Sequence, residues 1–139
     1  MTPITKGVCC TQLKRIPHPK GDIYHAMKKS DGDFSSFGEA YFTTITAGEI
    51  KGWKKHKEMI MNLIVPVGGV IFYIYDEKTG VTENITLQPE NYCRLTIQPG
   101  LWVAFKGLNN PLNLVLNIAS LEHNPDEALN VPLETYLVE

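Results

Sequence analysis

Helical periodicity is nearly missing from this sequence. No window of a dozen residues keeps apolar side chains at three-and-four spacing, and only Pro125 to Leu129 reads as a short helix or turn, so an all-α or α/β fold is not expected. Long apolar runs are missing too. The longest, Leu63 to Ile74, is broken by Pro66 and two glycines and falls far short of the roughly 20 residues a bilayer helix needs, so no membrane partner is expected. Charge of one sign is equally scarce: 13 basic residues stand against 15 acidic ones, for a formal net charge of -2. A chain without a basic field has little to hold a nucleic-acid backbone, and nucleic acid is not an expected partner either. The 3 cysteines, two of them adjacent at Cys9 and Cys10, do not make a disulfide framework. The first residues lack the basic-then-apolar order of a secretory leader, so the expected compartment is the cytoplasm and the Asn84-Ile85-Thr86 sequon reads as chance. At 139 residues the chain fits a single domain, 1–139, with a core spanning about 37–120.

What the sequence does have is strands. Glu39 to Ile45 is rich in β-branched and aromatic residues, while Met59 to Val67 and Gly69 to Tyr75 are continuous apolar runs separated by Gly68-Gly69, which reads as a hairpin turn. Val81 to Leu87, Tyr92 to Ile97, Leu101 to Phe105 and Leu112 to Ile118 then follow at about ten-residue spacing, punctuated by Pro, Gly or Asn. Many short strands with turns between them predict an antiparallel sandwich or barrel, with short extensions at either end.

The segment from Gly48 to Gly68 carries a spacing that resembles the first motif of the cupins, small jelly-roll barrels in which two histidines and a glutamate sit between two glycines. Here the positions fall on Gly48, Lys54, His56, Met61 and Gly68. The second cupin motif resembles Gln98-Pro99-Gly100-Leu101-Trp102-Val103, with Val103 at the place of a ligand histidine. An ammonium, a thioether and an alkyl group stand at three of the four ligand positions, so the sequence predicts a cupin-like double-stranded β-helix with no metal and no other cofactor.

Within the cupins the chain resembles the dTDP-4-dehydrorhamnose 3,5-epimerases and their nucleotide-sugar ketoisomerase relatives. The epimerase Phe-x-Gln followed by Gly-Val-Leu-Arg-Gly-Leu-His is similar to Phe37-Gly38-Glu39 followed by Gly48-Glu49-Ile50-Lys51-Gly52-Trp53-Lys54. Pro-x-Gly-Phe-Ala-His-Gly-Phe resembles the stretch from Gln98 to Phe105, and the terminal Tyr-Asp-Pro-Glu is echoed by His123-Asn124-Pro125-Asp126. On this correspondence the family's catalytic histidine falls on Lys54, its lysine on Asn62, its tyrosine acid on Asn117 and its diphosphate-binding arginine on Lys51. Of the ketoisomerase His-x-His pair, His56 is kept. The resemblance implies a nucleotide-linked 4-keto-6-deoxy sugar as the small-molecule partner, in surface-polysaccharide biosynthesis, and a homodimer. A catalytically silent cupin that binds a sugar nucleotide or a partner enzyme is the alternative.

Epimerisation and ketoisomerisation both remove a proton next to a ketone, so they need a base, a group that holds the enolate oxygen, and an acid. On a strand, Lys54 and His56 project from one face and form the compact acid–base pair of the chain. Burial inside the barrel and the neighbouring Lys51, Lys55 and Lys57 would let Lys54 act as a base, and it could equally stay charged and hold the enolate oxygen. The imidazole of His56 needs little tuning, since the ordinary value is about 6.5. The alternation Glu39, Tyr41, Thr43 places Glu39 and Tyr41 toward the same cavity, with Tyr41 or Tyr73 as the acid. Lys51, Asn62, Arg94, Trp102 and Asn117 complete the expected substrate-binding set. Read without the family, the run Lys51 to Lys57 is a solvated edge, Trp102 is core packing and Arg94 is a surface ion pair.

Overall fold

A computed structural model describes residues 2–3 and 5–138. Its strands, in chain order, are β1 (Thr2–Pro3), β2 (Val8–Gln12), β3 (Arg15–Ile16), β4 (Ile23–Tyr24), β5 (Glu39–Thr44), β6 (Ile50–His56), β7 (Met61–Val67), β8 (Val70–Asp76), β9 (Val81–Leu87), β10 (Cys93–Ile97), β11 (Trp102–Gly107), β12 (Leu114–Ala119) and β13 (Ala128–Asn130). There is no α-helix among the described residues; Pro125–Glu127 and Leu133–Thr135 are single 3-10 turns. Six strands form one sheet in the order β1-β2-β10-β7-β12-β5, and five form a second in the order β13-β6-β11-β8-β9. All pairs within these sheets are antiparallel. The two sheets face each other across an apolar core that includes Leu63, Val65, Phe72, Ile74, Leu95, Ile97, Val103 and Val115. This is the jelly-roll barrel of a cupin.

The strands expected from Glu39 to Ile118 form close to their expected limits, because their β-branched and aromatic content meets a surface on each face. The hairpin expected at Gly68-Gly69 does not form. β7 pairs with β10 and β12, whereas β8 pairs with β9 and β11, so Gly68-Gly69 carries the chain from one sheet to the other. Asn113, fully buried, fastens that crossing: its Oδ1 accepts from the Gly69 and Asn109 amides and its Nδ2 donates to the Ile45 and Asn109 carbonyls. The sheets also take in strands outside 37–120. β2 adds to β10 from the N-terminal side, and β13 adds to β6 from the C-terminal side.

Both sheets are covered on their outer faces as well. The segment from Ala26 to Asp33 lies against the back of β10, and the C-terminal residues Val131 to Val138 lie against an aromatic cluster of Trp53, Tyr73 and Trp102 behind β6, β8 and β11. Tyr136 stacks on Tyr75 with ring centroids 4.0 Å apart and meets the edge of Trp53 at 5.4 Å. Among the described residues no helix is long and apolar enough to cross a membrane.

Candidate active site

A cavity of about 290 Å³ opens between the two sheets, walled by β5, β7 and β12 on one side and by β6, β8 and β11 on the other. Its floor is apolar, with Leu63, Phe72, Phe105 and Val115, and its polar groups are Tyr41, Thr43, Lys51, Lys54, His56 and Asn117. That volume lies at the small end of the roughly 300–1,000 Å³ typical of small-molecule sites, enough for a monosaccharide, with anything larger left at the mouth. Lys54, His56, Met61 and Val103, the four positions that the cupin spacing singles out, all line it. As donors they amount to one imidazole, and that set does not suit a transition metal. Among the described residues no group of three or more His, Cys, Asp or Glu side chains is placed to hold one.

Strict alternation would put Lys51 and Lys54 on opposite faces of β6. They share the cavity because β6 carries a bulge: Lys54 faces Val103 and Lys51 faces Phe105, so Gly52 and Trp53 together oppose Ala104. The lysines of this segment then divide by partner. Lys51 Nζ donates to the Thr44 carbonyl at 2.8 Å, Lys55 Nζ lies 2.6 Å from Glu77 Oε1, and Lys57 Nζ donates to the Asp126 carbonyl at 3.0 Å. Lys54 Nζ makes no hydrogen bond or ion pair among the described residues.

His56, 8% exposed, places Nδ1 2.7 Å from Oε1 of Glu127, itself 8% exposed. The second carboxylate oxygen accepts the backbone N–H groups of Glu58 and Met59 at 2.9 and 2.8 Å. Burial alone would push the Glu127 carboxyl up, but the hydrogen bonds from His56 and those two amides outweigh it and hold the group below its ordinary 4.5. Glu127 is not among the site residues expected from the sequence. Its one signal was proximity to the Asn124-Pro125 turn, which says nothing about a partner 71 residues away.

On the opposite wall Asn117 and Tyr41 are directly paired across β12 and β5. The backbone N–H of Asn62 donates to Asn117 Oδ1 at 3.2 Å, and a backbone N–H can only donate. That contact fixes the amide, so Nδ2 is the group 3.0 Å from the Tyr41 hydroxyl. The phenol oxygen therefore accepts, and its own proton is left for another acceptor. Among the expected site residues, Tyr41, Lys51, Lys54, His56 and Asn117 thus come together in one cavity.

Four expected positions lie elsewhere. Asn62 points to the back of its sheet, where its Oδ1 is 2.6 Å from Thr96 Oγ1. Arg94, 1% exposed, is neither at the cavity nor in a surface pair: it is locked behind β10 by Asp33, Asp31 and the Ala26 carbonyl. Trp102 belongs to the outer aromatic cluster and donates its indole N–H to Glu77 at 2.7 Å. Glu39 shares the parity of Tyr41 but sits at the far end of β5, opposite Ala119, and does not line the cavity. Tyr73, offered as an alternative acid, is buried in the same outer cluster as Trp102, and burial pushes its hydroxyl up. Lys54 is exposed, so the burial expected to make it a base is not there. The cysteines stand apart from all of this, as three free thiols, with that of Cys10 pushed up to about 11 by burial and by the neighbouring Cys93 and Cys9.

A jelly-roll barrel with a cavity between its two sheets, lined by both polar and apolar side chains, defines a cupin-like barrel. Known structures narrow the class. A dTDP sugar isomerase from Desulfovibrio desulfuricans G20 is 30% identical, with a TM-score of 0.89 over 94% of this chain and 87% of that one. QdtA, a sugar 3,4-ketoisomerase from Thermoanaerobacterium thermosaccharolyticum crystallised with TDP, is 20% identical, with a TM-score of 0.78 over 91% and 89%. A dTDP-4-dehydrorhamnose 3,5-epimerase from Sulfolobus tokodaii is 19% identical, with a TM-score of 0.85 over 96% and 81%. No family model and no curated protein sequence matches the chain. The chain belongs to the dTDP-sugar isomerase family of cupin-like barrels.

Proposed function

We propose that this protein is a metal-independent isomerase of a nucleotide-linked 4-keto-6-deoxy sugar, an epimerase or ketoisomerase of surface-polysaccharide biosynthesis. The observation that carries the reading is the meeting of an imidazole, an ammonium unpartnered among the described residues, and a phenol in one sugar-sized cavity. His56 takes the proton from the carbon next to the ketone. The ammonium of Lys54 holds the enolate oxygen as charge develops on it, where an epimerase would present a histidine. Tyr41, hydrogen-bonded from behind by Asn117, gives a proton to the enolate. The apolar floor accepts the 6-methyl group, and Lys51 at the mouth meets the diphosphate as a point charge without an arginine's fork. Cytoplasmic location and a homodimer belong to the same reading; β5 is an open sheet edge that displays Phe42, 64% exposed.

Solvent exchange tests it. Incubated with dTDP-4-keto-6-deoxyglucose in deuterated water, the protein should place deuterium on the carbon adjacent to the ketone, and His56→Gln should slow that by about 100-fold or more. No exchange above the buffer rate with a panel of such sugars would end the enzymatic reading and leave a silent binding protein, the alternative favoured by the replacements at Lys54, Asn62 and Asn117.

A further inference from the structure

The carboxylate beneath His56 is used by no step above. It is also unusually well fixed. Glu127 ends a 3-10 turn whose cap is Asn124, with Asn124 Oδ1 accepting from the Asp126 amide at 3.0 Å and Pro125 in the first turn position. Immediately after it the chain becomes β13, which lays Ala128 opposite His56 and Asn130 opposite Lys54. One oxygen of Glu127 is occupied by the two backbone donors of Glu58 and Met59, and the other faces Nδ1. An ionised carboxylate can only accept, so the proton of this contact belongs to Nδ1.

We infer that Glu127 is a positioning residue for His56: it fixes the ring, holds the neutral imidazole in the Nδ1–H form and so presents the lone pair of Nε2 to the cavity. This rests on the proposed reaction for its purpose, though not for its geometry. When Nε2 accepts the proton from carbon, the imidazolium lies against a carboxylate already paid for by two amide hydrogen bonds, so no group has to reorganise. The other polar groups of the cavity are Lys51 and Lys54 on the same strand as His56, and Tyr41, Thr43 and Asn117 on the opposite wall; β7 and β11 contribute apolar Met61 and Val103. The C-terminal segment is thereby part of the site, since one stretch of chain supplies Glu127, the strand beside β6 and the Tyr136 ring packed behind it.

The test has a readout apart from activity. Nitrogen chemical shifts of the imidazoles in the native protein, with the His56 signals assigned by their loss in His56→Gln, should show neutral His56 protonated at Nδ1. In Glu127→Gln the amide oxygen stays with the Glu58 and Met59 N–H groups, so its NH2 turns to Nδ1 and forces the proton onto Nε2. The inverted tautomer should appear in the spectrum, and kcat for exchange should fall about 100-fold with KM little changed, while Glu127→Asp should restore much of the rate. Native His56 found in the Nε2–H form overturns the inference, and so does a Glu127→Gln protein with an unchanged tautomer and unchanged kcat. Should Glu127→Gln fail to fold, the native spectrum alone decides. A native protein with the Nδ1–H form and no exchange on any keto sugar removes the proposed reaction and leaves the geometry standing.

Discussion

Arg94 shows how a single side chain can read one way along the sequence and act another way in the fold. Its guanidinium receives Asp33 in a fork, at 2.6 and 2.8 Å from Nη2, with Asp31 at 3.3 Å from Nη1. Burial alone would push Asp33 up, but the hydrogen bonds from Arg94 and Thr96, with the charge of Arg94, hold it below its ordinary 3.8. A carboxyl lowered in the folded state stabilises above its unfolded value and loses that contribution as pH falls through the folded one. Asp33→Asn should therefore cost about 3 kcal/mol near neutrality. Below about pH 4 its stability should fall less steeply than that of the native protein. Urea titrations across that range check this, and parallel curves for the two proteins would rule out the ion pair as the cause. The sequence could not have told this arginine from one reaching a phosphate, because its partners lie 61 and 63 residues away and share no local pattern with it.

At the scale of elements, the strands were legible and their partners were not. The apolar runs flanking Gly68-Gly69 are both strands, but a two-glycine link suits a crossing between sheets as well as a hairpin, and the choice depends on which neighbours complete each ladder. Gly68 has φ +82°, and a Cβ there would collide with the Leu112 carbonyl and with Asn113. Gly68→Ala should accordingly destabilise the protein by about 3 kcal/mol, combining left-handed strain with a clash in a packed crossing. A melting temperature unchanged from the native protein would show that the crossing relaxes freely. The bulge in β6 is a second such case. Two-residue alternation correctly puts Lys54 with His56, yet it needs the extra residue at Gly52-Trp53 to bring Lys51 to the same cavity.

For the molecule as a whole, the proposed homodimer makes a plain prediction: sedimentation velocity should show a species of twice the chain mass, and Phe42→Lys on the open edge of β5 should shift it toward a single chain. A native protein that sediments as one chain at micromolar concentration would remove the dimer from the proposal. The sequence by itself determined the strands and their turn spacing, and through the cupin-like intervals it named four positions that do meet in one cavity, because strand propensity and turn chemistry act over a few residues. Only the tertiary structure decided which way Asn62, Arg94 and Trp102 point. Both sheets are covered on both faces, so Trp102, Val103 and Ala104 are all buried in succession, and no polar side betrays which face is the core. Glu127 belongs to the same class: a carboxylate near the end of the chain becomes part of the site when β13 is zipped onto β6, a pairing set by long-range packing and not by anything within reach of residue 127 along the sequence.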